Sequence, residues 1–370
     1  MDITRIDKNF SVEPVDENGF LFRDVKLEPF RLEGLAWFQE NQQAYYRLPK
    51  NFTTAEVNEG ALSLSNHTAG VCVRFRSDSP ELMIRAKLAY SSDMNHMPRA
   101  GSAGFDSYRK APGGKLLYNF TVQPSPKQVD VLAKCGHNPG GELCDWVIDF
   151  PLYGGVEKVE IGLKEGCKVL PPLPHKVKAP ILFYGSSITQ GGCASRPGNA
   201  YTSMLCRKVD AEQINLGFSG SGRGEIAVAK AIAGLDLAVF VYDYDHNAPD
   251  PEHLQKTHEP FFRAVRKADP ELPVIMMSCC DFRMRGYRSS DELVCRRREI
   301  IRRTYQHAVE AGDRKVYFID GETLFGKEMY DACTVDGCHP NDLGFYRMYK
   351  HILPTLKQAL KDSRERKKRK

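Results

Sequence analysis

The stretch Pro180-Ile181-Leu182-Phe183-Tyr184-Gly185-Ser186-Ser187-Ile188-Thr189 decides how the second half of the chain reads. A short, unbroken apolar run that stops at a glycine followed by hydroxyls marks a fully buried strand entering a turn. Downstream the pattern repeats. The runs QINLG, LAVFVY, PVIMMS and KVYFID are separated by segments of helical periodicity. Glu252 to Ala268 places Leu254, Phe261, Phe262 and Val265 on one face, and Asp291 to Ala311 does the same with Leu293, Ile300, Ile301, Tyr305 and Val309. Continuous apolar strands alternating with amphipathic helices predict a parallel sheet covered on both faces. In such sheets ligands bind beyond the carboxyl ends of the strands, which is where chemistry is to be sought.

Upstream the rhythm differs. From about Val57 to Leu163, stretches such as ALSLS, GVCVRFRS, ELMIRAKLAY and DWVIDFPLY alternate apolar with polar residues and are punctuated by Gly, Pro, Ser and Asn. That period of two predicts antiparallel strands of a sandwich or jelly roll. Four prolines between Pro171 and Pro180 separate the two rhythms. The expected organisation is a β-sandwich over 1–170, a Pro-rich linker over 171–180, an α/β domain over 181–360 and a basic tail over 361–370.

The 370 residues are 42% apolar and 27% charged, which fits a globular chain and excludes collagen-like, coiled-coil and disordered classes. The net charge is +5, from 52 Lys and Arg against 47 Asp and Glu, and the ten residues Lys361 to Lys370 account for all of it. The body therefore has no bulk field to draw nucleic acid or a membrane, and the tail reads as a solvated, disordered end, an acidic-surface or nucleic-acid contact, or a targeting signal. No apolar run is long enough to span a bilayer. The opening MDITRIDKNFSVEPVDENG lacks a signal-peptide pattern, and eleven scattered cysteines suit a reducing compartment. The expectation is a cytoplasmic protein. Cys135, His137 and Cys144 lack the paired spacing of a zinc ribbon.

Three strand ends and one late loop carry candidate chemistry. Gly185-Ser186-Ser187-Ile188-Thr189 could be a helix cap, a phosphate cradle or a nucleophile turn; neither phosphate-loop glycine pattern occurs here. A serine nucleophile needs a base. Asp336-Gly337-Cys338-His339-Pro340 supplies one, since a carboxylate three residues before a histidine can hold one ring nitrogen and leave the other facing substrate. Asn215-Leu216-Gly217-Phe218-Ser219-Gly220-Ser221-Gly222 is flexible enough to aim backbone N–H groups at a ligand. Tyr242-Asp243-Tyr244-Asp245-His246-Asn247 offers an asparagine amide.

Taken together these segments resemble the SGNH hydrolases, the GDSL family of esterases and lipases. GSSIT is similar to the first family block, GDS[IL]T, with Ser186 in place of the aspartate; NLGFSGSG resembles the second and DGCHPND the last. The third departs, with YDYDHN where the family shows GxND. The similarity spans about Ala179 to Leu360. It implies a flavodoxin-like domain with a five-stranded parallel sheet, Ser187 as nucleophile, His339 as base and Asp336 as its orienting acid. It also implies an oxyanion hole from the backbone N–H groups of Ser187 and Gly220 and the Asn247 amide, with Asp245 as the alternative third-block residue. Gly104-Phe105-Asp106-Ser107-Tyr108 resembles the GxDLY signature of a β-rich domain that precedes some SGNH hydrolases, with Ser107 for leucine.

The resemblance implies acyl transfer through a covalent intermediate, with no metal or organic cofactor. Two-domain carbohydrate esterases of this kind point to a small-molecule or oligosaccharide ester, acetylated glycans first. A lipid acylhydrolase and an inactive glycan-binding protein are the alternatives. The loop Gly191 to Asn199 is small and polar, which favours a short acyl group. Arg196, Tyr201 and Arg223 read as substrate contacts or solvated surface groups, and Trp37, Phe38, Tyr45 and Tyr46 as core residues rather than a sugar platform. Oligomeric state is not encoded in any of these patterns.

Overall fold

The computed structural model describes residues 15–280 and 291–369, so most of the opening segment read for a leader lies outside it. Two antiparallel sheets form the first half. In one, Phe20–Asp24, Val156–Lys164, Glu81–Leu88 and Asp130–His137 lie side by side in that order. In the other the order is Val169–Leu170, Cys72–Ser77, Cys144–Asp149, Phe105–Lys110, Leu117–Val122, and Arg31–Glu33 also pairs with Cys72–Ser77. Along Glu81–Leu88 every second residue, Leu82, Ile84, Ala86 and Leu88, is buried. These side chains share one core with Val73, Phe75, Trp146 and Ile148 of the facing sheet, as the period of two predicts. Cys135 and Cys144 are buried among them, and none of the eleven cysteines is in a disulfide.

The second half runs β1 (Val177–Gly185), α1 (Ser187–Gln190), α2 (Tyr201–Val209), β2 (Ala211–Gly217), α3 (Ile226–Ala233), β3 (Val239–Asp243), α4 (Pro251–Ala268), β4 (Val274–Met277), α5 (Asp291–Glu310), β5 (Val316–Ile319) and α6 (Asp342–Arg369). The five strands are parallel in the order β2-β1-β3-β4-β5, the flavodoxin-like arrangement. Alternate residues explain why the runs carry no polar interruption. Ile181, Phe183, Val239, Val241, Ile275 and Met277 face α2 and α6, packing on Leu205, Phe345, Met348 and Ile352. Leu182, Tyr184, Phe240, Tyr242, Val274 and Met276 face α3, α4 and α5, packing on Val228, Leu254, Phe261 and Ile301.

The two halves meet over a wide surface. Trp37, Tyr46, Leu48 and Val57 pack on the parallel sheet beside Leu182 and Ile214, while Tyr45 joins the sandwich core next to Phe150. Edge strand β2 is covered by the first half: Arg47 donates to the carbonyls of Asn215 and Gly217 at 2.8 Å each, and to those of His67 and Leu64 at 2.8 Å. An uncovered edge would offer its unpaired backbone groups to other chains.

Strand β1 opens at Val177, inside the stretch expected to be a linker, and the residues before it are pinned. His175 sits between Glu33 at 2.9 Å and Asp210 at 2.8 Å. Burial works to lower the His175 pKa, but hydrogen bonds to Asp210 and Glu33 outweigh it and the ring is held above its ordinary value of 6.5. Glu33, pushed up by burial but pulled down further by His175 and Arg74, ends below its ordinary 4.5. A raised histidine stabilises the fold fully below pH 6.5 and loses that contribution as pH rises through its folded value; a lowered carboxylate contributes above 4.5 and loses it on acidification. The staple is therefore strongest between these limits. Replacing His175 with leucine should cost about 1–3 kcal/mol at pH 6, with the deficit shrinking as pH rises through the ring's raised value. Denaturant midpoints of both proteins at pH 5, 6, 7 and 8 check this, and a pH-independent deficit would mean that the ring acts by packing alone.

The basic end departs from expectation. Instead of a disordered tail, α6 continues to Arg369. Leu356, Ala359 and Leu360 keep the helix on the sheet, Ser363 is buried, and the Tyr317 hydroxyl donates to Asp362 at 2.5 Å. Lys, Arg and Glu are good helix formers, and bases at a helix C-terminus complement its dipole, so the charge run extends the helix that precedes it. Among the described residues, no helix is long and apolar enough to cross a membrane.

Candidate active site

The site assembles at the carboxyl end of the parallel sheet. Strand β1 stops at Gly185, and the Ser186 hydroxyl caps the one-turn helix α1 by accepting from the N–H of Ile188 at 3.2 Å. Ser186, which stands where the family has aspartate, thus fixes the turn on which Ser187 is raised. Ser187 is 8% exposed, and its Oγ lies 2.9 Å from His339 Nε2 across 152 residues of sequence.

His339 comes from the loop before α6. The other ring nitrogen, Nδ1, is 2.7 Å from Asp336 Oδ2, while Asp336 Oδ1 accepts from the backbone N–H groups of His339 at 2.7 Å and Cys338 at 2.9 Å. Partial burial works to raise the Asp336 pKa, but the hydrogen bonds from the His339 ring and the two backbone donors outweigh it, and the carboxyl is held at about 2. Asp336 is therefore an anion at any pH near neutrality, fixing the ring with Nδ1 protonated and Nε2 turned to the serine. Asn341 anchors the loop by capping α6, accepting from Leu343 at 3.0 Å and Gly344 at 3.1 Å.

The turn after β2 packs beside the Ser187 turn. Ser219 donates its N–H to Gln190 Oε1 at 2.9 Å, and Gly220 has φ +66°, a left-handed conformation that glycine adopts without strain. The Asn247 amide donates one hydrogen to the Phe218 carbonyl at 2.8 Å, joining the third segment to the second. An amide nitrogen carries two hydrogens, so one remains for a ligand. The alternative residue Asp245 is buried with its carboxylate engaged in the turn: Oδ1 accepts from His246 and Oδ2 from Cys279, both at 3.1 Å. Asp243, at the end of β3, accepts from Thr189 and Tyr201, tying the Ser187 turn to the sheet. Burial pushes its carboxyl up to about 8.

The residues read as substrate contacts have other employment. Tyr201 is fully buried against Phe183 and Asp243. Arg196 Nη1 pairs with Asp106 Oδ2 at 2.6 Å and donates to the Tyr108 hydroxyl at 2.5 Å, while Asp106 Oδ1 accepts from the Gly198 N–H at 3.0 Å. Asp106 and Tyr108 are the GxDLY positions, so that signature grips the loop that follows Ser187. Asp342 holds the other side of the loop, accepting from Ser195 N at 2.9 Å and Asn199 Nδ2 at 2.8 Å. Arg223 lies by the Gly220 carbonyl at 3.4 Å.

Sequence reasoning missed what the first half contributes here. A Cβ added at Gly192 would stand 2.7 Å from the Tyr153 hydroxyl, 3.0 Å from the Ser187 carbonyl and 3.4 Å from His339 Cδ2, so glycine is needed where the halves converge on the site. The His96 ring lies 5.9 Å, centroid to centroid, from that of His339. Tyr153 and His96 sit in loops without motif spacing, and only the fold brings them in.

Residues 178–357 match the GDSL-like lipase/acylhydrolase family. That half of the chain belongs to it. Residues 20–169 match the GxDLY domain, the N-terminus of SGNH-hydrolase-type esterases, so the protein is a GDSL-type esterase in class. Among solved structures it is similar to a GDSL-like lipase candidate from Bacteroides ovatus ATCC 8483, at 28% identity over 92% of this chain and 98% of that one, TM-score 0.82. A salicylyl-acyltransferase from a tetracycline biosynthetic pathway shares 17% identity over 93% and 98%, TM-score 0.77. A family two carbohydrate esterase from Clostridium thermocellum, in complex with cellohexaose, shares 16% over 80% and 94%, TM-score 0.57. At such identities the last two are likenesses of fold. No curated protein sequence matches the chain.

Proposed function

We propose that this GDSL-type esterase hydrolyses acetyl esters of carbohydrates through a Ser187-His339-Asp336 triad. The observation that carries the reading is the pair of short contacts at His339: 2.9 Å from Nε2 to the Ser187 hydroxyl and 2.7 Å from Nδ1 to the Asp336 carboxylate. Ser187 Oγ attacks the ester carbonyl as Nε2 takes its proton, and Asp336 stabilises the imidazolium. The oxyanion is held by the backbone N–H groups of Ser187 and Gly220 and by the second hydrogen of the Asn247 amide. The imidazolium then protonates the departing alcohol, and water activated by the same nitrogen releases the acid.

Two features support a short acyl group. The loop Gly191 to Asn199 brings no long apolar side chain to the site, and it is clamped by Asp106 and Asp342 rather than poised as a lid. Carbohydrate as the alcohol rests on the likeness in fold to a family two carbohydrate esterase solved in complex with cellohexaose. Chromogenic acetate, butyrate and octanoate esters should be hydrolysed in that order, with kcat/KM falling at least about tenfold from first to last, the discrimination one or two misplaced methylenes give. Acetate release from acetylated oligosaccharides should accompany it. Octanoate turning over fastest would replace this reading with a lipid acylhydrolase.

A further inference from the structure

Three side chains able to bind a soft metal converge beside the nucleophile from separate parts of the chain. One ring nitrogen of His96, the sulfur of Cys193 and one ring nitrogen of His339 lie within 4.8 Å of one another. We propose that they form a reversible inhibitory site for a soft divalent cation, Zn2+ first. The inference rests on His339 being the base of the esterase.

Contacts hold both flanks of the trio. His96 is exposed on the first half and its Nδ1 pairs with Asn95 at 2.9 Å, which leaves Nε2 for a metal. Cys193 is buried, sits at φ +75°, and donates its N–H to the thioether sulfur of Met97 at 3.5 Å, locking the two loops together. A cysteine held in a left-handed conformation is uncommon, and such positions persist where the surroundings fix them. His339 already donates Nδ1–H to Asp336, so Nε2 is the lone pair a cation takes. A carboxylate behind a ligating imidazole is the usual arrangement around zinc, where it orients the ring and raises its basicity.

Two imidazoles and a thiolate suit zinc, with the fourth tetrahedral position left to water. Ligand atoms around such an ion stand roughly 3.3–3.7 Å apart, from bond lengths of about 2.0–2.3 Å, so the trio closes by about an ångström, a movement within reach of the exposed His96 side chain. On binding, the Cys193 proton passes to water and the Nε2 lone pair to the metal. His339 can then no longer accept the Ser187 proton, and hydrolysis stops until the ion leaves.

Binding and inhibition are to be measured separately on the full chain. Co2+ added to the metal-free protein should give a thiolate-to-metal absorption band that disappears in Cys193→Ser and weakens in His96→Ala. Zn2+ should abolish acetate-ester hydrolysis, and a chelator should restore it. Each variant, measured against its own metal-free rate, should need on the order of 100-fold more Zn2+ for half inhibition. Variants as sensitive as the wild type, or a cobalt spectrum without the thiolate band, would overturn the site. If the metal-free protein hydrolyses no ester, the catalytic reading has failed instead, and the cobalt spectra still decide whether the cation binds. Should Cys193→Ser not fold, His96→Ala alone carries the comparison.

Discussion

Ser187→Ala should reduce kcat for a chromogenic acetate by a factor on the order of 10⁶, the loss usual when the nucleophile of a serine triad is removed. The change deletes one hydroxyl whose partner is His339 Nε2, and it leaves the backbone bonds of the α1 turn and the Ser186 cap in place. The melting temperature should therefore stay close to that of the wild type. Residual rate in the variant measures what the oxyanion donors and substrate binding supply by themselves. Asn247→Ala is the graded companion: it keeps the nucleophile and removes one donor, so kcat should fall by about 10² to 10³. Intact-mass measurement with a slowly hydrolysed ester should show one acyl group on the wild type and none on Ser187→Ala. A folded Ser187→Ala protein with most of its activity would place the nucleophile elsewhere.

Arg47→Met should be strongly destabilising. The guanidinium is 1% exposed, donates to four carbonyls and lies 4.7 Å from the centre of the Phe218 ring. Burial pulls its pKa down to about 9, which still leaves it charged at neutral pH. Methionine fills much of the volume but strands buried acceptors, each at a cost of about 1–3 kcal/mol. These costs do not add simply, and a net loss of about 4 kcal/mol or more is expected, a large part of the 5–15 kcal/mol that holds a typical domain. Arg47→Lys should recover part of it, because an ammonium cannot span the positions that the planar fork reaches. Equilibrium denaturation decides the matter, and a loss under about 1 kcal/mol would show that water satisfies the carbonyls.

How far the sequence could be read follows from where each signal is stored. The parallel sheet was legible because ILFYG, LAVFVY and PVIMMS must face apolar neighbours on both sides, and that demand is written locally. The sandwich was legible from ELMIRAKL for the same reason with a different period. The pairing of Ser187 with His339 was legible as a candidate from a hydroxyl at a strand end and a histidine with a carboxylate three residues before it, and the family resemblance singled it out, since nothing within either loop announces a partner 152 residues away. Nothing in YYRLPK marks Arg47 as buried, because its burial is decided by where the first half lands on β2. Tyr201 and Arg196 were misplaced as possible substrate contacts because a polar tip says nothing of what it meets. His96 carried no signal, being a lone histidine in a loop between strands.

The covered edge of β2 limits modularity. A fragment cut to begin at Val177 would keep every motif by which its family is recognised, yet it would bare a row of backbone acceptors along that strand and the apolar patch under Trp37 and Tyr46. Such a piece would tend to stack on its own copies before it could turn over substrate. The GxDLY domain is thus less a detachable cassette than the missing wall of the enzyme, and transplanting the catalytic half into another setting would require rebuilding that wall first.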